Sequence, residues 1–125
     1  MKKLVVLLAV IVVMLGVRVQ SDTSATLSCT EPTTNTDGSA LTDLSKTTYY
    51  YRIPPSTTWV PCTEEAATVA VGGGNVSHVC APSESVNGVV EFMARAVDMS
   101  GNESTDSSVV SKVIDNTVPS PPSCS

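Results

Sequence analysis

Four cysteines, one histidine and a few grouped carboxylates are the side chains in this 125-residue chain that could carry covalent or metal chemistry. Cys29, Cys62, Cys80 and Cys124 are spaced 33, 18 and 44 residues apart, so no Cys-x-x-Cys pair is present. That spacing supports neither a zinc knuckle nor a dithiol redox site. In an exported chain of this size, an even number of cysteines reads as two disulfides. A nucleophile–base pair would need His78 beside a serine, with an acid to orient the imidazole. No Gly-x-Ser-x-Gly elbow exists, and His78 sits in a run that reads as strand, so it is expected to pack rather than catalyse. A single histidine also rules out a multi-histidine metal site.

The acidic loops fail as calcium sites in the same way. Asn35-Thr36-Asp37-Gly38-Ser39 echoes part of an EF-hand, but the first and twelfth loop positions fall on Thr33 and Leu44. The first must supply an oxygen ligand and the twelfth a bidentate acid, so the stretch reads as a turn. Asp98, Asn102 and Glu103 could hold a surface cation weakly, although the same residues suit a hairpin turn. Gly72-Gly73-Gly74 lacks the Gly-Lys-Ser/Thr ending of a phosphate loop and reads as a flexible connection. No metal, no cofactor and no enzymatic activity are therefore expected. Asn75-Val76-Ser77 and Asn102-Glu103-Ser104 match the N-glycosylation pattern, which matters only in a eukaryotic host.

Recognition chemistry is better represented. Tyr49, Tyr50, Tyr51 and Trp59 are four of the five aromatic residues. On a strand, Tyr49 and Tyr51 share one face and Tyr50 takes the other. One face belongs to a core short of aromatics. The other can present Tyr50, joined by Trp59, for stacking on sugar rings or anchoring a protein. With Met99, Asn102 and Glu103 of the acidic turn, these residues form the candidate binding surface; the competing reading is that the aromatics fill the core.

These residues need elements to position them. The chain opens on Met1-Lys2-Lys3 and an uncharged apolar run, Leu4 to Val17, then Val19-Gln20-Ser21. That is the layout of a secretory signal, expected to be a helix covering residues 1–21 and cut after Ser21. Arg18 next to the cut leaves an uncleaved membrane anchor as the alternative. Without the leader the chain carries 4 basic and 12 acidic residues, which disfavours nucleic acid as a partner. Beyond it, helical periodicity is absent and short β-branched or aromatic runs alternate with Gly, Pro, Asn and Asp. Strands are predicted at Thr23–Thr30, Lys46–Ile53, Thr57–Cys62, Ala66–Val71, Val76–Ala81, Val89–Asp98 and Ser107–Ile114. An all-β antiparallel sandwich of six or seven strands over residues 22–115 follows, with a Pro/Ser-rich tail at 116–125.

Two stretches carry a resemblance. Pro32-Thr33-Thr34-Asn35-Thr36-Asp37-Gly38-Ser39-Ala40-Leu41-Thr42-Asp43-Leu44 resembles the loop between strands B and C of bacterial fibronectin type III domains. Ala94-Arg95-Ala96-Val97-Asp98-Met99-Ser100-Gly101-Asn102-Glu103-Ser104 resembles the end of their strand F and the turn after it. The resemblance implies strands A, B and E facing C, C′, F and G. It puts Cys29 where the family usually has a core tryptophan. It also sets Cys29 and Cys80 inward on neighbouring strands B and E, favouring the pairs Cys29–Cys80 and Cys62–Cys124, with Cys62–Cys80 as the rival. The implied role is an exported, non-enzymatic binding or adhesion module, secreted, periplasmic or at the cell surface, with a protein or glycan partner. The alternatives are a subunit of a surface filament or phage particle that self-associates through strand edges, and a glycan-binding accessory module.

Overall fold

The computed structural model describes residues 23–124 and the backbone of Val10–Val12, and no helix occurs among the described residues. Six strands follow Thr23: β2 (Ala25–Thr30), β3 (Leu44–Arg52), β4 (Val60–Ala66), β5 (Asn75–Cys80), β6 (Gly88–Asp98) and β7 (Val110–Ile114). A three-residue strand, β1 (Val10–Val12), precedes them. All pairings are antiparallel and make two sheets, ordered β1-β2-β5 and β4-β3-β6-β7.

Side-chain alternation explains why these segments are strands. On β2, Ala25, Leu27 and Cys29 are buried while the residues between them are not. On β3, Tyr49 and Tyr51 point into the core; on β6, Val90, Phe92, Ala94 and Ala96 do so. All of these but Ala96 meet Val76 and Cys80 of β5 and Ile114 of β7 in one cluster, so both sheets bury their inner faces against a shared core. A smaller cluster of Leu41, Leu44 and Ala96 closes one end. Phe92 and two of the three tyrosines are core residues, which decides how many aromatics remain for the surface.

Several expectations need correction. Thr57–Cys62 and Ala66–Val71 are not two strands; β4 runs between them, through Glu64 and Glu65. It is an edge strand, where charged residues are admitted because one side faces water. Gly72-Gly73-Gly74 lies in the connection from β4 to β5, packed close to the chain that follows β2. Gly72 has φ +71°, and a Cβ there would lie 1.9 Å from the Pro32 carbonyl oxygen. The expected leader helix falls mostly outside the described residues, but Val10–Val12 within it are extended, opposite Cys29, Ser28 and Leu27. β-Branched residues favour that conformation, and the edge of β2 offers them backbone partners.

The cysteines are corrected too. A single disulfide joins Cys62 to Cys80, with Cα atoms 5.6 Å apart, and Cys29 and Cys124 are free. Cys29 and Cys80 do lie on neighbouring strands, but Cys29 stands opposite Val76 and Cys80 opposite Ala25. Four residues of ladder separate them, about 13 Å at strand rise, well beyond disulfide reach. Cys124 is exposed in the tail and does not tie it back. Only the start of the tail is docked, through Asn116 to Asn87 Oδ1 and the Val86 carbonyl.

Candidate functional site

The face of β3 and β6 turned away from the core gathers most of the recognition chemistry. Because Tyr49 and Tyr51 face inward, Tyr50 and Arg52 face out, opposite Met93 and Glu91 of β6. The loop after β3, containing Pro54-Pro55, returns the chain so that Trp59 meets Arg52, whose guanidinium carbon lies 4.3 Å from the indole centroid. Arg52 also donates from Nε and Nη2 to the two Glu91 carboxylate oxygens at 3.1 and 3.4 Å. One turn of the pleat away, the Arg95 guanidinium lies 5.0 Å from the Tyr50 ring centroid. Arg95 Nε donates to Asp106 Oδ1 at 2.8 Å and its Nη1 stands 3.6 Å from Glu103 Oε2. Tyr50 completes the group by donating its hydroxyl to Glu103 Oε1 at 3.1 Å.

The result is two aromatic–arginine–carboxylate groups side by side. Met93, the residue opposite Tyr50, is fully buried between them although it lies on the outward-facing row. The ion pairs are half-exposed, and such pairs contribute only about 0–1 kcal/mol each. Their effect is to hold the rings and guanidinium forks in place, since a fork that is already oriented loses less freedom on binding. Burial, then the hydrogen bond to Glu103 and its charge, push the Tyr50 phenol above its ordinary range, so it stays a neutral donor.

The candidate surface is therefore partly assembled. Tyr50, Trp59 and Glu103 come to one face. Asn102 does not join them: its amide nitrogens both donate to the Asp98 carboxylate, which also accepts from Ser100 N. Met99 is exposed at the tip of that turn, its backbone N–H bonded to the Asp43 carbonyl. The residues missing from the sequence-based set are Arg52, Glu91, Arg95 and Asp106. Alternation along β6 puts Glu91, Met93 and Arg95 on one face, and the pairing of β6 with β3 sets that face beside Tyr50.

The other chemical candidates resolve into structure. Asp37 Oδ1 accepts from Ser39 N and Gly38 has φ +85°, which makes that loop a turn. His78 meets Tyr49 edge-on, with centroids 6.0 Å apart. Near it, the Cys29 thiol is pushed up to about 12 by burial and then by the Glu65 charge, so it is protonated and a poor nucleophile at neutral pH. Among the described residues, no group of three His, Cys, Asp or Glu could hold a metal ion, and no helix is long and apolar enough to cross a membrane.

One buried polar group escaped the sequence reading. Glu31 is fully buried just after β2, where its carboxylate accepts from Thr68 N, Thr68 Oγ1 and Gly74 N. Its own backbone N–H donates to the Gly74 carbonyl at 2.9 Å. It pins the 67–74 loop and is satisfied in place, an anchor rather than a reactive acid.

Comparison with protein-family models, with curated proteins and with solved structures returns no match.

Proposed function

We propose that this chain is an exported, non-enzymatic binding module of the fibronectin type III kind, which contacts a protein partner through the outer face of its four-stranded sheet. The observation that carries the reading is the clustering of Trp59, Tyr50, Arg52 and Arg95 on that face, the residue types that dominate binding energy in protein interfaces. The strand order beyond the leader supports the family resemblance: β2-β5 and β4-β3-β6-β7 correspond to B-E and C′-C-F-G of a sandwich. The Cys62–Cys80 bond and the leader are in keeping with export to a secreted, periplasmic or surface location. A protein partner fits this face better than a glycan. Each ring has a guanidinium over one side rather than two open, coplanar platforms.

The test compares what the immobilised chain retains from its producing culture with what a Tyr50→Ala/Trp59→Ala variant and a Val79→Ser control retain. Truncating anchors of this type costs about 2 kcal/mol each, roughly 30-fold in affinity. The expected result is a partner lost from the double variant and kept by the control. A partner held equally by all three overturns the assignment, and one released only by sugar competition transfers the role to a glycan.

A further inference from the structure

The start of the tail is tied to the domain through a residue pair that is chemically labile. Asn87 is followed by Gly88, the sole Asn-Gly pair in the chain. In such a pair the glycine amide nitrogen can attack the asparagine Cγ, because no side chain on the second residue stands in the way. Gly88 has φ +131° with open space around it. It is the first residue of β6, opposite Ile114, at a strand end where fraying is easiest. Asn87 is exposed, and its Oδ1 accepts from Asn116 N at 2.8 Å and from Thr117 Oγ1 at 3.0 Å. Attack at Cγ puts negative charge on that oxygen, so both donors are already aimed at the developing oxyanion. The other asparagines are restrained. Nδ2 of Asn35, Asn102 and Asn116 each donates to an acceptor within the domain, and Asn75 is followed by the β-branched Val76, which shields its amide nitrogen.

We propose that Asn87-Gly88 is a self-modifying site whose reaction with water releases the proline-rich tail from the domain. The Gly88 nitrogen bonds to Asn87 Cγ and gives its proton to water, while Nδ2 leaves as ammonia and a cyclic imide closes. Water then adds to one imide carbonyl and breaks its bond to the Gly88 nitrogen. In sum one water is consumed and one ammonia is released, with no oxidant, metal or cofactor required. Opening at Cγ gives an aspartate, whose carboxylate still accepts from the tail. Opening at the α-carbonyl gives an isoaspartate, in which the chain runs through Cβ and Cγ. The backbone then gains a methylene, and Oδ1 becomes the oxygen of a peptide carbonyl. Asn116 N and Thr117 Oγ1 lose the acceptor position they share, and the Val86 carbonyl that accepts from Asn116 Nδ2 is one residue from the change. The tail is docked only at its start, so these bonds control its release, together with the exposed Cys124. The site uses no residue of the Trp59 face and does not depend on the binding role given to it.

The experiment ages the folded full chain in mildly alkaline buffer at body temperature and follows its peptides by mass. A gain of about 1 Da is expected at Asn87, with the isoaspartyl form identified by its fragment ions. It should accumulate about tenfold faster than at Asn75, the other exposed asparagine. Amide hydrogen exchange at Asn116 should be about tenfold or more faster in the isoaspartyl fraction than in the unaltered chain, and should stay slow in the aspartyl fraction. Thr117→Val removes one donor from Oδ1 without touching β6, and should slow the reaction about fivefold. Gly88→Ala should stop it. If that variant fails to fold, Thr117→Val and the comparison with Asn75 in the unaltered chain decide the matter. The proposal is overturned if Asn87 reacts no faster than Asn75, or if Thr117→Val leaves the rate unchanged or raises it. Equal exchange at Asn116 in the isoaspartyl and unaltered chains overturns it as well.

Discussion

At the scale of single residues, the side chains on the outer sheet face separate from those that complete the core. Cys29 belongs to the second group. Its thiol is held up to about 12 by burial and the Glu65 charge, against an ordinary value of 9.0. Between those two pH values the folded chain keeps a proton that the unfolded chain releases. The stabilisation is therefore complete below about pH 9 and is lost as pH rises toward 12. Urea titrations from pH 8 to 11 should show stability falling, with a shallower fall in Cys29→Ala; equal slopes would contradict the assignment. Thr47 makes the opposite case: its hydroxyl is buried without a hydrogen-bond partner. Thr47→Val removes that desolvation cost and should stabilise the protein by about 1 kcal/mol, read as an upward shift of the thermal midpoint.

At the scale of elements, the two sheets are joined where a bulge turns a side chain inward. On β4, Pro61 pairs with Tyr50 and Thr63 with Tyr49, so Cys62 is the extra residue between them. Such a bulge re-aims its residue, and here it lets an edge strand of one sheet reach Cys80 on the edge of the other. The bond closes an 18-residue separation. Cys62→Ser/Cys80→Ser is expected to cost about 3 kcal/mol in denaturant titrations. The loop within that separation is the second staple. Gly72→Ala puts a methyl against the Pro32 carbonyl at a positive φ, and should destabilise by about 3 kcal/mol, whereas Gly38→Ala has open space and only its turn conformation to strain.

These elements also show what could be read from residues alone. β2, β3, β5, β6 and β7 were legible because alternation and β-branching mark one buried face. β4 was not, since Glu64 and Glu65 interrupt its pattern and the bulge at Cys62 breaks its period. The disulfide depended on that bulge, which no spacing of cysteines discloses. Glu31 gave no signal of its own: a glutamate before a proline looks like a loop residue until the 67–74 segment folds over it. Tyr50, Trp59 and Glu103 were legible as candidates from residue type, but Arg52 and Arg95 become members only through the β3–β6 register.

At the scale of the whole molecule, the two sheets present different surfaces. The four-stranded sheet presents oriented aromatic and arginine side chains, and the smaller sheet presents Val79. In the interior, His78 meets Tyr49 edge-on and the Cys29 thiol stays protonated. The proposed work is recognition. The most direct measurement replaces Trp59, and separately Val79 on the outer side of β5, with a photo-crosslinking amino acid in the protein made by its own cells. A binding face on the four-stranded sheet predicts a discrete cross-linked partner from position 59 and none from position 79. Absence of any adduct at 59, or the same adduct from both positions, would contradict it.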